Sequence, residues 1–147
     1  MKKLIKNPSK TETKKIGYVV FEEDSWGKVN ESLGEYGLAY SRIEPLFQFL
    51  SLSKEESARV AGVSTRTLSR WDGRTPIGLV ASERAAKIDH LVKIGIDIFK
   101  NEEAFKEWFA EKNFSLGGKS PKQLLGQPFG LDLITDTLLA VQFGNMM

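Results

Sequence analysis

The sequence contains no cysteine and only one histidine among its 147 residues. Without cysteine the chain has neither a disulfide nor a thiolate nucleophile, which suits a reducing compartment. His90 is expected with Asp89, Lys93 and Asp97 on the polar side of a helix, and it has no second histidine with which to bind a metal or share acid–base chemistry. We therefore predict no catalytic residue, metal ligand or cofactor, and expect that the protein is not an enzyme.

Long apolar runs are also missing. No stretch approaches the roughly 20 apolar residues of a membrane-spanning helix, and the N-terminus lacks the apolar core of a signal peptide. The apolar share of 41% is still sufficient for a folded core. These features predict a soluble, cytoplasmic protein with no membrane partner.

The net charge is only +2, but it is unevenly distributed. Residues 1–15 hold six lysines and one glutamate, whereas residues 16–50 are acidic and residues 51–74 are again basic. Nucleic acid attracts basic segments of this kind. We interpret residues 1–36 as a basic, flexible arm followed by an irregular segment, and a solvated tail is an equal alternative to an arm that contacts DNA.

Residues 52–71 have the pattern of two short helices joined by a glycine turn. Ser53 and Glu56 have the spacing of a capping box at the start of the first helix. Gly62 stands where a left-handed backbone is needed, and Ser64 can cap the second helix. This pattern predicts a helix-turn-helix within a module of residues 37–76.

The second helix of this module would expose two arginines, Arg66 and Arg70, on one side. Arginine can bind guanine through two hydrogen bonds, and serine or threonine at a helix start can bind phosphate. The predicted DNA-binding residues are Ser64, Thr65, Arg66, Thr67, Ser69 and Arg70. An ordinary helical hairpin in an all-α core is the alternative.

A supporting helix precedes this pair. Apolar residues recur at helical spacing from Ile43 to Leu50. Pro45 is expected near the start of that helix, because proline deeper inside removes a hydrogen bond. Turn-forming residues 72–76 end the module.

Residues 77–147 are predicted to form a second helical domain. One helix should begin near Ser82 as its cap and run to about Phe99. Ile94 and Ile96 widen its apolar arc, which suggests a surface for a homodimer. An aromatic edge around Trp108 is interpreted as core.

The last helix follows a turn at Pro128-Phe129-Gly130 and extends to about Phe143. Ile134 and Leu138 belong to one apolar stripe, but other apolar residues lie elsewhere around the helix. A partner could cover these residues, or they could be buried within their own domain.

The second half of the chain resembles the toxin-binding domain of the MbcA/ParS/Xre antitoxin family. The residues that carry this resemblance are Ser82-Glu83-Arg84, Phe99, Trp108, Leu116-Gly117-Gly118-Lys119-Ser120-Pro121, Leu124-Leu125, Gly130 and Phe143-Gly144. In that family an Xre-like helix-turn-helix precedes the domain, as residues 62–70 do here. The resemblance covers roughly residues 37–145.

The resemblance implies an all-α, dimeric antitoxin that covers the active-site entrance of a RES-type, NAD-consuming toxin and represses its own operon through operator DNA. The toxin-binding residues would then be Leu133, Leu139, Ala140, Phe143, Gly144 and Asn145. One departure is that Ala140-Val141 replace an Arg-Ile pair that the family often has before its final aromatic-Gly. The alternative function is a plain helix-turn-helix repressor whose C-terminal domain dimerises or binds a ligand.

Overall fold

Helices form the regular structure of residues 34–144, the part of the chain that the computed structural model describes. The seven α-helices are α1 (Tyr40–Phe49), α2 (Lys54–Ala61), α3 (Thr65–Arg70), α4 (Leu79–Phe99), α5 (Glu102–Ala110), α6 (Pro121–Leu124) and α7 (Gly130–Gln142). A short 3-10 helix, Phe114–Leu116, lies between α5 and α6. The predicted all-α fold is confirmed, whereas residues 1–33 of the predicted arm lie outside the described residues.

The local signals of the helix-turn-helix pattern are confirmed. The Ser53 hydroxyl accepts a hydrogen bond of 3.0 Å from the Glu56 amide, and the Glu56 carboxylate accepts one of 2.7 Å from the Ser53 amide. Gly62 adopts the left-handed conformation, with φ of 74°. Ser64 accepts from the Thr67 amide at 3.0 Å. Polar groups at the helix ends are thereby satisfied by side chains of neighbouring residues.

The 21-residue helix α4 lies at the centre of the fold. It contacts α1, α2, α5 and α7, so residues from both halves of the chain share one apolar core. The fully buried members of this core include Ile43, Leu46, Ile88, Val92, Phe105, Ile134 and Leu138. Helix α7 packs directly on α4, whereas α3 packs on α2, which in turn contacts α4.

The predicted role of Ser82 as a helix cap is wrong. Helix α4 begins at Leu79, and Ser82 lies buried in its first turn. Its hydroxyl donates to the Gly78 carbonyl at 2.6 Å and accepts from the Leu38 amide at 2.8 Å. Ser82 therefore satisfies a buried amide 44 residues away, a task that local sequence does not reveal.

Pro45 also departs from the prediction, because it lies inside α1 rather than in its first turn. Its missing amide leaves the Ser41 carbonyl without the usual helical donor. Burial of Ile43, Leu46 and Phe47 on the same helix offsets this loss. Tertiary packing has here overridden a local preference.

The wide apolar arc of α4 is largely used within the chain. Ile96 is buried and Ile94 is half-buried against the core, so the prediction that Ile96 serves a dimer surface is wrong. Asp89, expected on a polar face, is only 2% exposed and forms an ion pair of 2.9 Å with Lys93. Helix α4 is thus surrounded by its own chain on more sides than its periodicity suggested.

Aromatic rings fill the angle between α4 and α5, as predicted. The ring centroids of Phe105 and Phe109 are 5.7 Å apart, and those of Phe99 and Trp108 are 5.8 Å apart. A side chain at Gly95 would overlap the ring of Phe105, so this glycine provides the space for it. The Asn101 side chain caps α5 by accepting from the Ala104 amide at 2.9 Å.

Within residues 34–144, no helix has the length and apolar character needed to cross a membrane.

Candidate functional site

Two exposed surfaces contain the residues that the sequence singles out. The first, which we call the α3 face, consists of Ser64, Thr65, Arg66, Thr67, Ser69 and Arg70. The second, the α7 face, consists of Leu133, Leu139, Ala140 and Phe143. Helix α3 packs on α2 and α7 packs on α4, and α2 and α4 contact each other.

The α3 face is exposed because the apolar residues of the turn and helix point the other way. Leu68 is buried, and Val63 and Trp71 pack against the core. All six predicted DNA-binding residues are exposed. Arg66 and Arg70 stand one helical turn apart, so their guanidinium groups can extend from the same side.

Some hydroxyl groups of the α3 face form hydrogen bonds within the helix itself. Ser64 caps the helix, and its hydroxyl donates to that of Thr67 at 3.1 Å. Ser69 donates to the Thr65 carbonyl at 2.8 Å. The two arginines are consequently the residues of this face best suited to reach a ligand several ångströms away.

The end of α3 is fastened to the start of α1. The rings of Tyr40 and Trp71 meet edge to face with centroids 5.3 Å apart. The Tyr40 amide donates to the Thr75 carbonyl at 2.8 Å, and the Ser41 amide donates to the Gly73 carbonyl at 3.0 Å. Burial and, to a smaller extent, the Glu44 carboxylate raise the pKa of Tyr40 above its usual value. Tyr40 is therefore a neutral packing residue.

A second fastening comes from Arg84 of α4. Its guanidinium donates to the carbonyl oxygen of Val60 at 2.6 Å, in the last turn of α2. Cations stabilise a helix C-terminus because the last carbonyls lack partners within the helix. In the sequence, Arg84 was noted only as part of the motif Ser82-Glu83-Arg84. Nothing in the sequence indicated this contact, which joins residues 24 positions apart.

The α7 face is exposed because α7 buries its opposite side. Ile134 and Leu138 are fully buried, whereas Leu133 and Phe143 are 49% and 73% exposed. At 100° per residue, the four members of the α7 face lie within about 120° of one another. Leu133 and Phe143 are separated by about 15 Å along the axis. Leu139 is also exposed, whereas Ala140 is half-buried.

Two further predicted residues follow α7. Gly144 is exposed in a left-handed conformation with φ of 72°. Asn145 lies outside the described residues.

Phe129 was assigned only to a turn, yet it is 81% exposed and precedes Leu133 by one helical turn. Because Phe129 precedes the helix in a left-handed conformation, helical periodicity does not reveal it.

Acidic and histidine side chains do not gather into a metal site anywhere between residues 34 and 144. The α3 face offers hydrogen-bond donors and positive charge, and the α7 face offers exposed apolar area. Together they define an all-α protein with two candidate binding surfaces.

The C-terminal part of the chain has a family assignment. Residues 95–144 match the family described as the antitoxin Xre/MbcA/ParS C-terminal toxin-binding domain. This match confirms the resemblance for residues 95–144. The match covers about a third of the chain, including all of α7, and does not extend to the α3 face. No curated protein matches the chain.

Proposed function

We propose that the protein is the antitoxin of a type II toxin–antitoxin system. It binds and blocks a cognate RES-type toxin through the α7 face and represses its own operon through the α3 face. The observation that carries the proposal is the toxin-binding domain at residues 95–144, whose last helix exposes Leu133 and Phe143. The protein acts by binding, and the chemistry belongs to the toxin.

The α7 face supports the first half of the proposal. Phe143 has about three quarters of its surface in water, and Leu133 about half. Clustered apolar side chains of this kind are typical of a partner interface, in which a few large residues supply most of the binding energy. Covering the toxin's substrate entrance requires only such contacts. The RES-type identity and NAD consumption of the toxin are proposed from the family resemblance.

The α3 face supports the second half. The capping box at Ser53, the left-handed Gly62 and the cap at Ser64 support the interpretation of α2 and α3 as a helix-turn-helix. In such motifs the second helix enters the major groove. Arg66 and Arg70 then contact guanine edges or phosphates. The module of residues 37–76 is accordingly proposed as the DNA-binding unit.

A homodimer completes the proposed mechanism. One α3 helix has only six residues, and a second copy would double its contacts. Dimeric helix-turn-helix proteins bind half-sites about 34 Å apart. We therefore propose an inverted-repeat operator, bound by two copies of the chain.

The experiment that tests this function is co-expression with the neighbouring gene. The purified chain should co-elute with that gene's product in size-exclusion chromatography and abolish its toxicity to growing cells. If the chain binds its promoter but the neighbouring product neither co-elutes nor is neutralised, the protein is a plain repressor and the proposed antitoxin function is wrong.

A further inference from the structure

A surface groove lies beside the α7 face. It has a volume of about 590 Å³ and separates the first half of α4 from the loop that enters α7. Val80 of α4 and Phe129 of the loop both line it. These two side chains are 71% and 81% exposed. The groove therefore has two large apolar groups that the chain itself does not cover.

Phe129 is held in a backbone conformation that costs a bulky residue energy. Its φ is 61°, in the left-handed region that favours glycine or asparagine. The next residue, Gly130, cannot be replaced by a larger one, because any side chain there would overlap the carbonyl oxygen of Leu124. The Gly130 amide instead donates to the Gln127 carbonyl at 2.9 Å, which closes the turn. Strain of this kind is concentrated at binding and switch sites.

The rim of the groove is polar. Glu83 and Lys87 form an ion pair of 3.4 Å on α4, with both side chains more than half exposed. Asp132 lies on the α7 side. An apolar centre with a charged rim is the usual anatomy of a protein–protein contact.

The groove reaches the entrance of α7, where Phe129, Leu131 and Asp132 line it and Leu133 of the α7 face follows in the chain. Phe129 directly precedes α7, and its carbonyl oxygen accepts a hydrogen bond of 3.1 Å from the Leu133 amide. Phe129 also belongs to residues 95–144, the toxin-binding domain. Val80 does not, because it precedes that domain by 15 positions.

We propose that this groove extends the toxin-binding surface onto α4, where Phe129 and Val80 receive an apolar segment of the toxin. The inference rests on the proposed function, because it takes the toxin as the occupant of the α7 face. It adds a contact outside the matched domain and gives the strained Phe129 a role. The toxin, rather than a second copy, is the expected occupant because one wall of the groove, residues 125–129, 131 and 132, belongs to the matched toxin-binding domain.

The first test is Phe129→Asn, measured with the full chain and the purified product of the neighbouring gene. Asparagine tolerates a positive φ, so the thermal midpoint should stay the same or rise. Toxin affinity should fall at least tenfold, because the aromatic contact is lost. The matched control is Phe114→Asn, because Phe114 is 97% exposed but does not line the groove. This control should leave affinity unchanged.

The second test places the substitution on the other wall. Val80→Ser should weaken toxin binding several-fold, and its effect should not add fully to that of Phe129→Asn, because both residues contact one segment. Leu79→Ser is the control, since Leu79 is adjacent and about half exposed but lies outside the groove.

Three results would overturn the inference. The first is unchanged toxin affinity in both Phe129→Asn and Val80→Ser. The second is an equal loss in the controls, and the third is a loss of self-association in place of toxin affinity. If Phe143→Ser weakens toxin binding while the groove variants do not, only this inference fails. If the wild-type chain does not bind the toxin at all, the proposed function fails with it.

Discussion

Arg84 and Val60 join the two halves of the molecule through a hydrogen bond of 2.6 Å from the guanidinium to the carbonyl oxygen. Val60 belongs to the last turn of α2, and Arg84 lies on α4. The bond therefore attaches α2 to the helix that also supports α7. It satisfies a carbonyl that the helix end would otherwise leave without a partner.

We expect Arg84→Ala to destabilise the protein by about 1–3 kcal/mol, because a charged donor is lost and a carbonyl near the core is left unsatisfied. Thermal or urea unfolding of the full chain measures this loss. Lys87→Ala is the matched control, because it removes an exposed cation from the same helix and should cost less than about 1 kcal/mol. Equal stability of the two variants would show that the Arg84 bond contributes nothing.

Gly95→Ala is expected to destabilise the fold, although alanine is the better helix former by about 1 kcal/mol. The added methyl would overlap the ring of Phe105, and overpacking of a core typically costs about 1–3 kcal/mol. The second substitution Phe105→Leu should recover part of the loss when combined with Gly95→Ala, because the smaller side chain makes room. A stabilised Gly95→Ala protein would contradict the tight packing of α4 against α5.

The success of sequence-based prediction depended on distance along the chain. The caps at Ser53 and Ser64 were predictable because donor and acceptor lie three residues apart. The bond from the Leu38 amide to Ser82 was not, because 44 residues separate the partners. Long-range packing likewise decided the burial of Ile96, which periodicity alone had left open as a dimer surface.

For the candidate surfaces too, features set by neighbouring residues were predictable and others were not. Arg66 and Arg70 were predictable as exposed because Leu68 on the same helix had to be buried. Phe129 was missed because its left-handed backbone lies at the entrance of α7, outside the regular helix. Sequence periodicity describes regular helices and gives no information on such a residue at a helix entrance.

Replacing both Arg66 and Arg70 by alanine should abolish specific operator binding while leaving helicity intact. Each lost bidentate contact is expected to cost about 1–3 kcal/mol. Fluorescence anisotropy with the protein's own promoter measures the effect. A variant with Lys100→Ala and Lys112→Ala loses the same charge at exposed positions outside the α3 face and should bind nearly normally. Promoter binding that survives in the arginine variant would reject the α3 face as the DNA-binding surface.

The chain should sediment as a homodimer at micromolar concentration and protect an inverted repeat whose half-sites lie about 34 Å apart. Sedimentation velocity gives the mass, and footprinting gives the protected sequence. The expected dimer surface does not include Ile96, because this chain buries that residue itself. A monomer that protects a single half-site would contradict the symmetric arrangement.

Removal of residues 139–147 should release the toxin but preserve operator binding, because the α3 face and the α7 face lie on different helices. The truncated chain keeps Ile134 and Leu138, the fully buried residues of α7. Its thermal transition must be intact before the result is interpreted. Truncated protein that has lost both activities together would indicate that the two faces depend on each other.

Whether the α7 face blocks the toxin is tested most directly by the growth of cells that co-express the neighbouring toxin with the double variant Leu133→Ser and Phe143→Ser. Both side chains are exposed, so the variant should fold and still bind its operator. We expect this folded variant to fail to neutralise the toxin, so that growth stops, whereas the wild-type chain restores growth. If the folded double variant protects the cells as well as the wild type does, the α7 face does not block the toxin.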